Sequence, residues 1–168
     1  MSKIMTEGNI SIDFSNALFA KKFDGNDHGL SHCMKAVDFI VELKDKIYFV
    51  EIKDPEHPDV KLNNRNEFVK KLKSNVLINE LKYKYRDSYL YELAMNKVTK
   101  PVHYLVLICL DSLDQVVLNT QLDILKKHLP VDGPPRNHWP KKFVHGCIVM
   151  NLQTWNSYLP KFLASRIC

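Results

Sequence analysis

Two short segments leave this chain little freedom. KAVDFIVEL (35–43) and KIYFVEIK (46–53) are rich in β-branched and aromatic residues, and only Lys44 and Asp45 separate them. Such a pair reads as a β-hairpin. A two-residue loop sets Leu43 opposite Lys46, so that facing residue numbers sum to 89, and a four-residue loop gives the same register. One face then carries Val41 opposite Tyr48, Phe39 opposite Val50 and Val37 opposite Ile52. That face is wholly apolar and is expected to pack on a helix. The other face carries Glu42 opposite Ile47, Ile40 opposite Phe49 and Asp38 opposite Glu51, with Lys53 two residues further along.

Asp38 and Glu51 thus meet across the hairpin with β-carbons about 4.5–5.5 Å apart. Like charges at that spacing destabilise a sheet unless one is protonated or a cation lies between them. A hard divalent ion that takes carboxylate oxygens and keeps several waters meets the need, and Mg²⁺ is the commonest. Lys53 stands too far along the strand to replace such an ion, yet near enough to act on a water beside it. The plainer alternative makes Asp38 a strand-end acid, Glu51 an edge residue and Lys53 its surface ion-pair partner.

Asp38, twelve intervening residues, then Glu51-Ile52-Lys53 on a strand after an apolar hairpin resembles the PD-(D/E)xK nuclease superfamily, with Val37 where the name has proline. The order helix, hairpin, helix, strand over roughly residues 10–110 agrees with that family's common core. The resemblance implies an α/β, restriction-endonuclease-like core, a mixed central β-sheet flanked by helices on both faces. It implies a Mg²⁺-dependent DNA endonuclease, with Mn²⁺ able to substitute. Asp38, Glu51 and the Ile52 carbonyl would bind the metal, and Asp38, Glu51 and Lys53 would be catalytic, Lys53 orienting the attacking water. A third acid is expected near the first element, either Glu7 or Asp13. The helix after the motif lies beside the site in this family, and its polar stripe of Asn75, Asn79, Lys82 and Arg86 is expected to meet DNA phosphates. With little room for a separate recognition domain, the protein would dimerise or serve in a larger restriction, transposition, repair or defence assembly. The alternative is a catalytically inactive nuclease-like module that binds nucleic acid or a protein.

The rest of the chain reads around that hairpin. DFSNALFAKKF (13–23) has near-helical apolar spacing and predicts a short helix. Pro55 and Pro58 close the second strand, and a helical region follows over 67–96, divided near Asp87 and Ser88. VHYLVLICL (102–110) is almost continuously apolar, which predicts a central strand covered on both faces. A helix is expected over 113–128, a strand over 143–150 and a last helix over 154–165. In the loop PPRNHWPKK (134–142) the simplest reading tucks Trp139 into the core, and His103 and His145 read as satisfied core histidines.

At 168 residues the chain is expected to form one domain, 1–168. Its longest apolar run is far too short to cross a bilayer, and no basic segment followed by an apolar stretch opens the sequence, so the expectation is a cytoplasmic protein with no membrane partner. Cys33, Cys109, Cys147 and Cys168 show no zinc or redox spacing, which suits reduced thiols. A net charge of +5, concentrated in KKLK (70–73), KYKYR (82–86) and RNHWPKK (136–142), is compatible with a polyanion partner and equally with solvated helix faces.

Overall fold

The computed structural model describes residues 3–56 and 62–167. The hairpin is its centre. Strands β4 (Phe39–Glu42) and β5 (Ile47–Lys53) pair antiparallel with Phe39 opposite Val50 and Val41 opposite Tyr48, the register expected from the loop length. The five-stranded sheet has the order β3-β4-β5-β6-β7, with β3 at Phe19–Lys22, β6 at Val102–Ile108 and β7 at Gly146–Met150. β3, β4 and β5 form an antiparallel meander, and β5, β6 and β7 run parallel, so the sheet is mixed. A parallel step needs a crossover. Helices α1 (Leu62–Lys73) and α2 (Val76–Ala94) supply it between β5 and β6, and α3 (Gln115–His128) between β6 and β7. β6 is an interior strand with nearly every residue buried, as its unbroken apolar run requires.

The two faces of the sheet are covered differently. On one, Ile40, Ile47, Phe49, Tyr104 and Val106 pack on Leu72 of α1, Leu77, Ile78, Leu81 and Tyr85 of α2, and Leu118 and Leu125 of α3. On the other, Phe39, Val41, Tyr48, Val50 and Ile52 meet Ile10, Ile12, Phe14, Trp155 and Phe162. This second face was expected to lie on a helix. It lies mainly on a second, three-stranded sheet of order β1-β2-β8 (Ile4–Glu7, Ile10–Asp13 and Ala164–Arg166), with the short helix α4 (Leu152–Tyr158) beside it.

The predicted helix over 13–23 is therefore replaced by β2, a turn and β3. Ile10 and Ile12 alternate with half-exposed Ser11 and Asp13, a period of two that wins over the looser helical spacing of the residues after them. Asp13 takes the Ser15 amide (2.8 Å) and closes the turn after β2. The long helical region divides at Asn75, whose φ of 61° is left-handed and tolerated by asparagine. Ser88, expected near the break, is buried inside α2. The last helix stops at Tyr158, and the chain past Pro160 becomes β8. Pro58 lies outside the described residues.

Three further expectations change. Val37 leaves the hairpin register and joins the helix-covered core. Trp139 is 44% exposed. His145 is exposed and His103 half-exposed, so neither is a core histidine. The Cys109 and Cys147 thiols are buried and pushed up to about 12, which keeps them protonated and inert.

Candidate functional site

The site forms where β4 separates from β5. In an antiparallel pair, N–H and C=O groups of alternate residues point at the partner strand. After Phe39 and Val50, the next such pair would be Val37 with Ile52. Instead, the Val37 amide donates to Ser88 Oγ on α2 (3.0 Å), and the Asp38 carbonyl accepts from Phe23 of the β3 side (2.7 Å). The orphaned Ile52 amide donates to Asp38 Oδ2 at 2.6 Å. The Asp38 side chain thus replaces a rung of the ladder. By strand alternation the Ile52 carbonyl points to the same side as its amide, toward Asp38.

Glu51 is fully buried and Asp38 nearly so. Lys84 of α2 reaches both, with its Nζ 2.7 Å from Glu51 Oε1 and 3.4 Å from Asp38 Oδ1. Lys53 Nζ lies 2.9 Å from the same Glu51 oxygen. Glu51 Oε2 is buried and accepts no hydrogen bond from the described residues. Asp38, Glu51 and Lys53 converge, as the hairpin register requires.

A second acidic group adjoins the first. One oxygen each of Glu7, Asp24 and Asp38 lies within 4.8 Å of the others. Glu7 ends β1 and Asp24 follows β3, so both sheets contribute. Lys22 Nζ is 2.7 Å from Glu7 and 4.0 Å from Asp24. Of the two candidates for a third acid, Glu7 stands beside Asp38, whereas Asp13 is spent on the turn, where the Ser15 hydroxyl and amide hold its carboxyl below the usual range. Asp24 carried no signal in the sequence, because its approach depends on the β3 strand that was read as helix.

The electrostatics follow from burial. Desolvation, reinforced by the Glu51 charge, pushes Asp38 up to about 7, against the opposing pull of Lys84 and of the Ile52 amide. Desolvation also raises Asp24, with Glu7 adding to it. For Lys84, burial favours the neutral amine, but Glu51 and Asp38 outweigh it, and its pKa rises. One ammonium is thus held between two buried acids.

The stripe of Asn75, Asn79, Lys82 and Arg86 lies elsewhere. At about 100° per residue these positions fall roughly 140–180° around α2 from Lys84. Lys82 bonds Asn79 Oδ1 (3.1 Å), and Lys82 and Arg86 both lie near the Tyr83 ring. The helix does turn a basic residue toward the acids, and that residue is Lys84. Its signal was its position one residue before Tyr85, on the flank of the buried stripe Leu77, Leu81, Tyr85 and Ser88.

Beyond Lys53 the chain is pinned by Arg166 of β8. Its guanidinium contacts Asp54 Oδ2 (2.9 Å), Glu56 Oε2 (3.5 Å) and the Cys109 carbonyl (3.0 Å).

Comparison of the chain with protein-family models, with curated proteins and with solved structures returns no match. No helix among the described residues is long and apolar enough to cross a membrane.

Proposed function

We propose that this protein is a metal-dependent DNA nuclease that hydrolyses phosphodiester bonds, acting alone, as a homodimer or within a larger assembly. The observation that carries the reading is the grouping of Asp38, Glu51 and Lys53, with Lys53 on Glu51 and with Lys84 of the following helix facing both acids. The run of hairpin, crossover helices and parallel strand supports it too, as the later part of the order helix, hairpin, helix, strand that the resemblance implies, although β2 and β3 stand where its first helix was expected.

The donor set suits a hard divalent cation. It is all oxygen, it includes buried carboxylate oxygens without a hydrogen-bond partner, Glu51 Oε2 and Asp24 Oδ1 among them, and it crowds acids that repel each other. Asp38, Glu51 and the Ile52 carbonyl would hold Mg²⁺ or Mn²⁺, with Glu7 and Asp24 on the Asp38 side. Such an ion supplies positive charge against the phosphate and makes a nearby water more acidic. The chain's own part is positional. Lys53 presents an ammonium beside Glu51, where it can donate a hydrogen bond to the attacking water or to a phosphate oxygen. Lys84 competes with the ion for the same two carboxylates.

That competition also favours a second reading. An ammonium that already bridges Asp38 and Glu51 neutralises them with no metal, as a binding module derived from a nuclease would require.

Cleavage of supercoiled plasmid and of single-stranded DNA with Mg²⁺ or Mn²⁺ separates the two. Metal-dependent nicking is expected, falling by about 100-fold or more in both Glu51→Ala and Lys53→Ala, each verified as folded by circular dichroism. A folded parent protein that neither cleaves nor binds metal through Glu51 would favour the binding module, or a subunit whose activity waits for a partner, over a nuclease that acts alone.

A further inference from the structure

A second cleft opens at the other end of the central sheet, around its β7 edge, lined by Lys126 of α3 and by residues of both sheet faces. Glu51 and Lys53 sit on the helix-covered face near the end of β5, whereas this cleft lies beside Lys46, just before β5 begins. It measures about 310 Å³, a size at the lower end of small-molecule sites. Its walls are aromatic: Tyr48, His103, His145 and Tyr158. Tyr48 and His103 pack edge to face with ring centroids 6.2 Å apart, and His103 and His145 lie 6.3 Å apart at 32°. Its charged lining is basic, from Lys46 and Lys126. Asp45, whose side chain is largely exposed, lies 3.3 Å from Lys46.

Burial lowers both histidine pKa values; Lys46 and His145 lower His103 further, with Asp45 opposing, and Lys142 lowers His145. The backbone makes room for this arrangement at Gly146, opposite His103 in the β6–β7 ladder. A Cβ there would sit 2.6 Å from His103 Nδ1. Only glycine leaves the imidazole where it is.

We infer that this cleft binds a nucleoside phosphate, the phosphate on Lys46 and Lys126 and the base against the tyrosine and histidine rings. Lysine ammoniums recognise phosphate as point charges, and aromatic faces accept any base. The phosphate can belong to a free nucleotide or to a nucleic-acid strand. Neither source requires Glu51 or Lys53, so the inference stands apart from the metal site.

The test titrates inorganic phosphate, a deoxynucleoside 5′-monophosphate and a short single-stranded oligonucleotide into the full chain in divalent-free buffer. The imidazole resonances of His103 and His145 report binding. The mononucleotide is expected to shift both resonances, and combining Lys46→Ala with Lys126→Ala is expected to weaken it about tenfold or more. Gly146→Ala keeps both lysines but displaces the His103 ring, and should weaken the mononucleotide while sparing inorganic phosphate. A strand that binds more tightly than the mononucleotide through the same residues identifies nucleic acid as the source, and the reverse order identifies a free nucleotide. Resonances unmoved by all three probes at millimolar concentration, or an affinity indifferent to loss of both lysines, would overturn the inference. Glu51→Ala should bind the mononucleotide as the parent does, so failure of the nuclease reading and failure of this one are told apart.

Discussion

Replacing Lys84 by methionine is expected to destabilise the protein by about 2–3 kcal/mol at pH 8, and added Mg²⁺ is expected to restore most of the loss. Removing one partner of a buried ion pair costs about 3–5 kcal/mol when the remaining charge is fully orphaned. The cost here is smaller because Lys53 stays 2.9 Å from Glu51. Asp38 has no such reserve. The Lys84 ammonium is 3.4 Å from its Oδ1 and holds its pKa down, so without that cation Asp38 keeps its proton to a still higher pH. The destabilisation should accordingly be large at pH 8 and fade as the pH falls through 7. In a chain of this size it corresponds to a loss of about 5–10 °C in Tm. Thermal melts with and without Mg²⁺ at pH 8 and pH 5 measure it, and Lys84→Met should bind the ion more tightly than the parent. A melt unchanged by the substitution and by the metal would mean that Lys84 does not neutralise these acids.

The second large effect concerns Asp38 itself. Its carboxyl is raised to about 7 in the folded chain from a reference of 3.8, so between those values the folded state holds a proton that the unfolded state has released. By linkage, this proton's stabilisation is complete below about 3.8 and is lost as pH rises through 7. Asp38→Asn removes the titration yet keeps an oxygen for the Ile52 amide. The variant should be more stable than the parent at pH 8, by up to about 4 kcal/mol, and the difference should vanish toward pH 4. Denaturant titrations across that range decide it, with a flat difference as the adverse result. Under the nuclease reading the same variant loses cleavage, so stability and activity move in opposite directions. Mg²⁺ affinity in the parent should also fall as pH drops below 7, because the proton and the metal compete for one oxygen.

Much of the centre was legible because a hairpin is local. Lys44 and Asp45 fix the register, and the register places Asp38 and Glu51 on one face just past the Phe39–Val50 pair, with Lys53 beyond them. What escaped the sequence was whatever depends on long-range packing. Val37 and Ile52 should have paired, but Ser88, fifty-one residues away, captured the Val37 amide. Glu7 and Asp24 approach Asp38 only through β1 and β3, in a region where apolar residues fit a helix almost as well as strands. The polar stripe on α2 was recognised by spacing, yet spacing does not say which side of a helix faces the sheet. Lys84 is identified by the buried face beside it, and that face exists only once α2 is docked.

The two oxygens of Asp38 have separate obligations: Oδ2 closes the sheet over Ile52, and Oδ1 faces Lys84. Glu51 has no backbone duty at all. Under the nuclease reading, if a lineage of this fold gave up chemistry, the two acids would not decay alike. Glu51 could become leucine or methionine once Lys84 had become apolar too, since the carboxylate serves only other charges and removing it alone strands the ammonium 2.7 Å away. Position 38 would be held back by the amide it covers, and asparagine, which keeps that acceptor, would be its first resting state. The fossil of a lost active site here would therefore be a polar residue at 38 facing an apolar one at 51, a pairing that looks like an ordinary sheet until the missing rung is noticed.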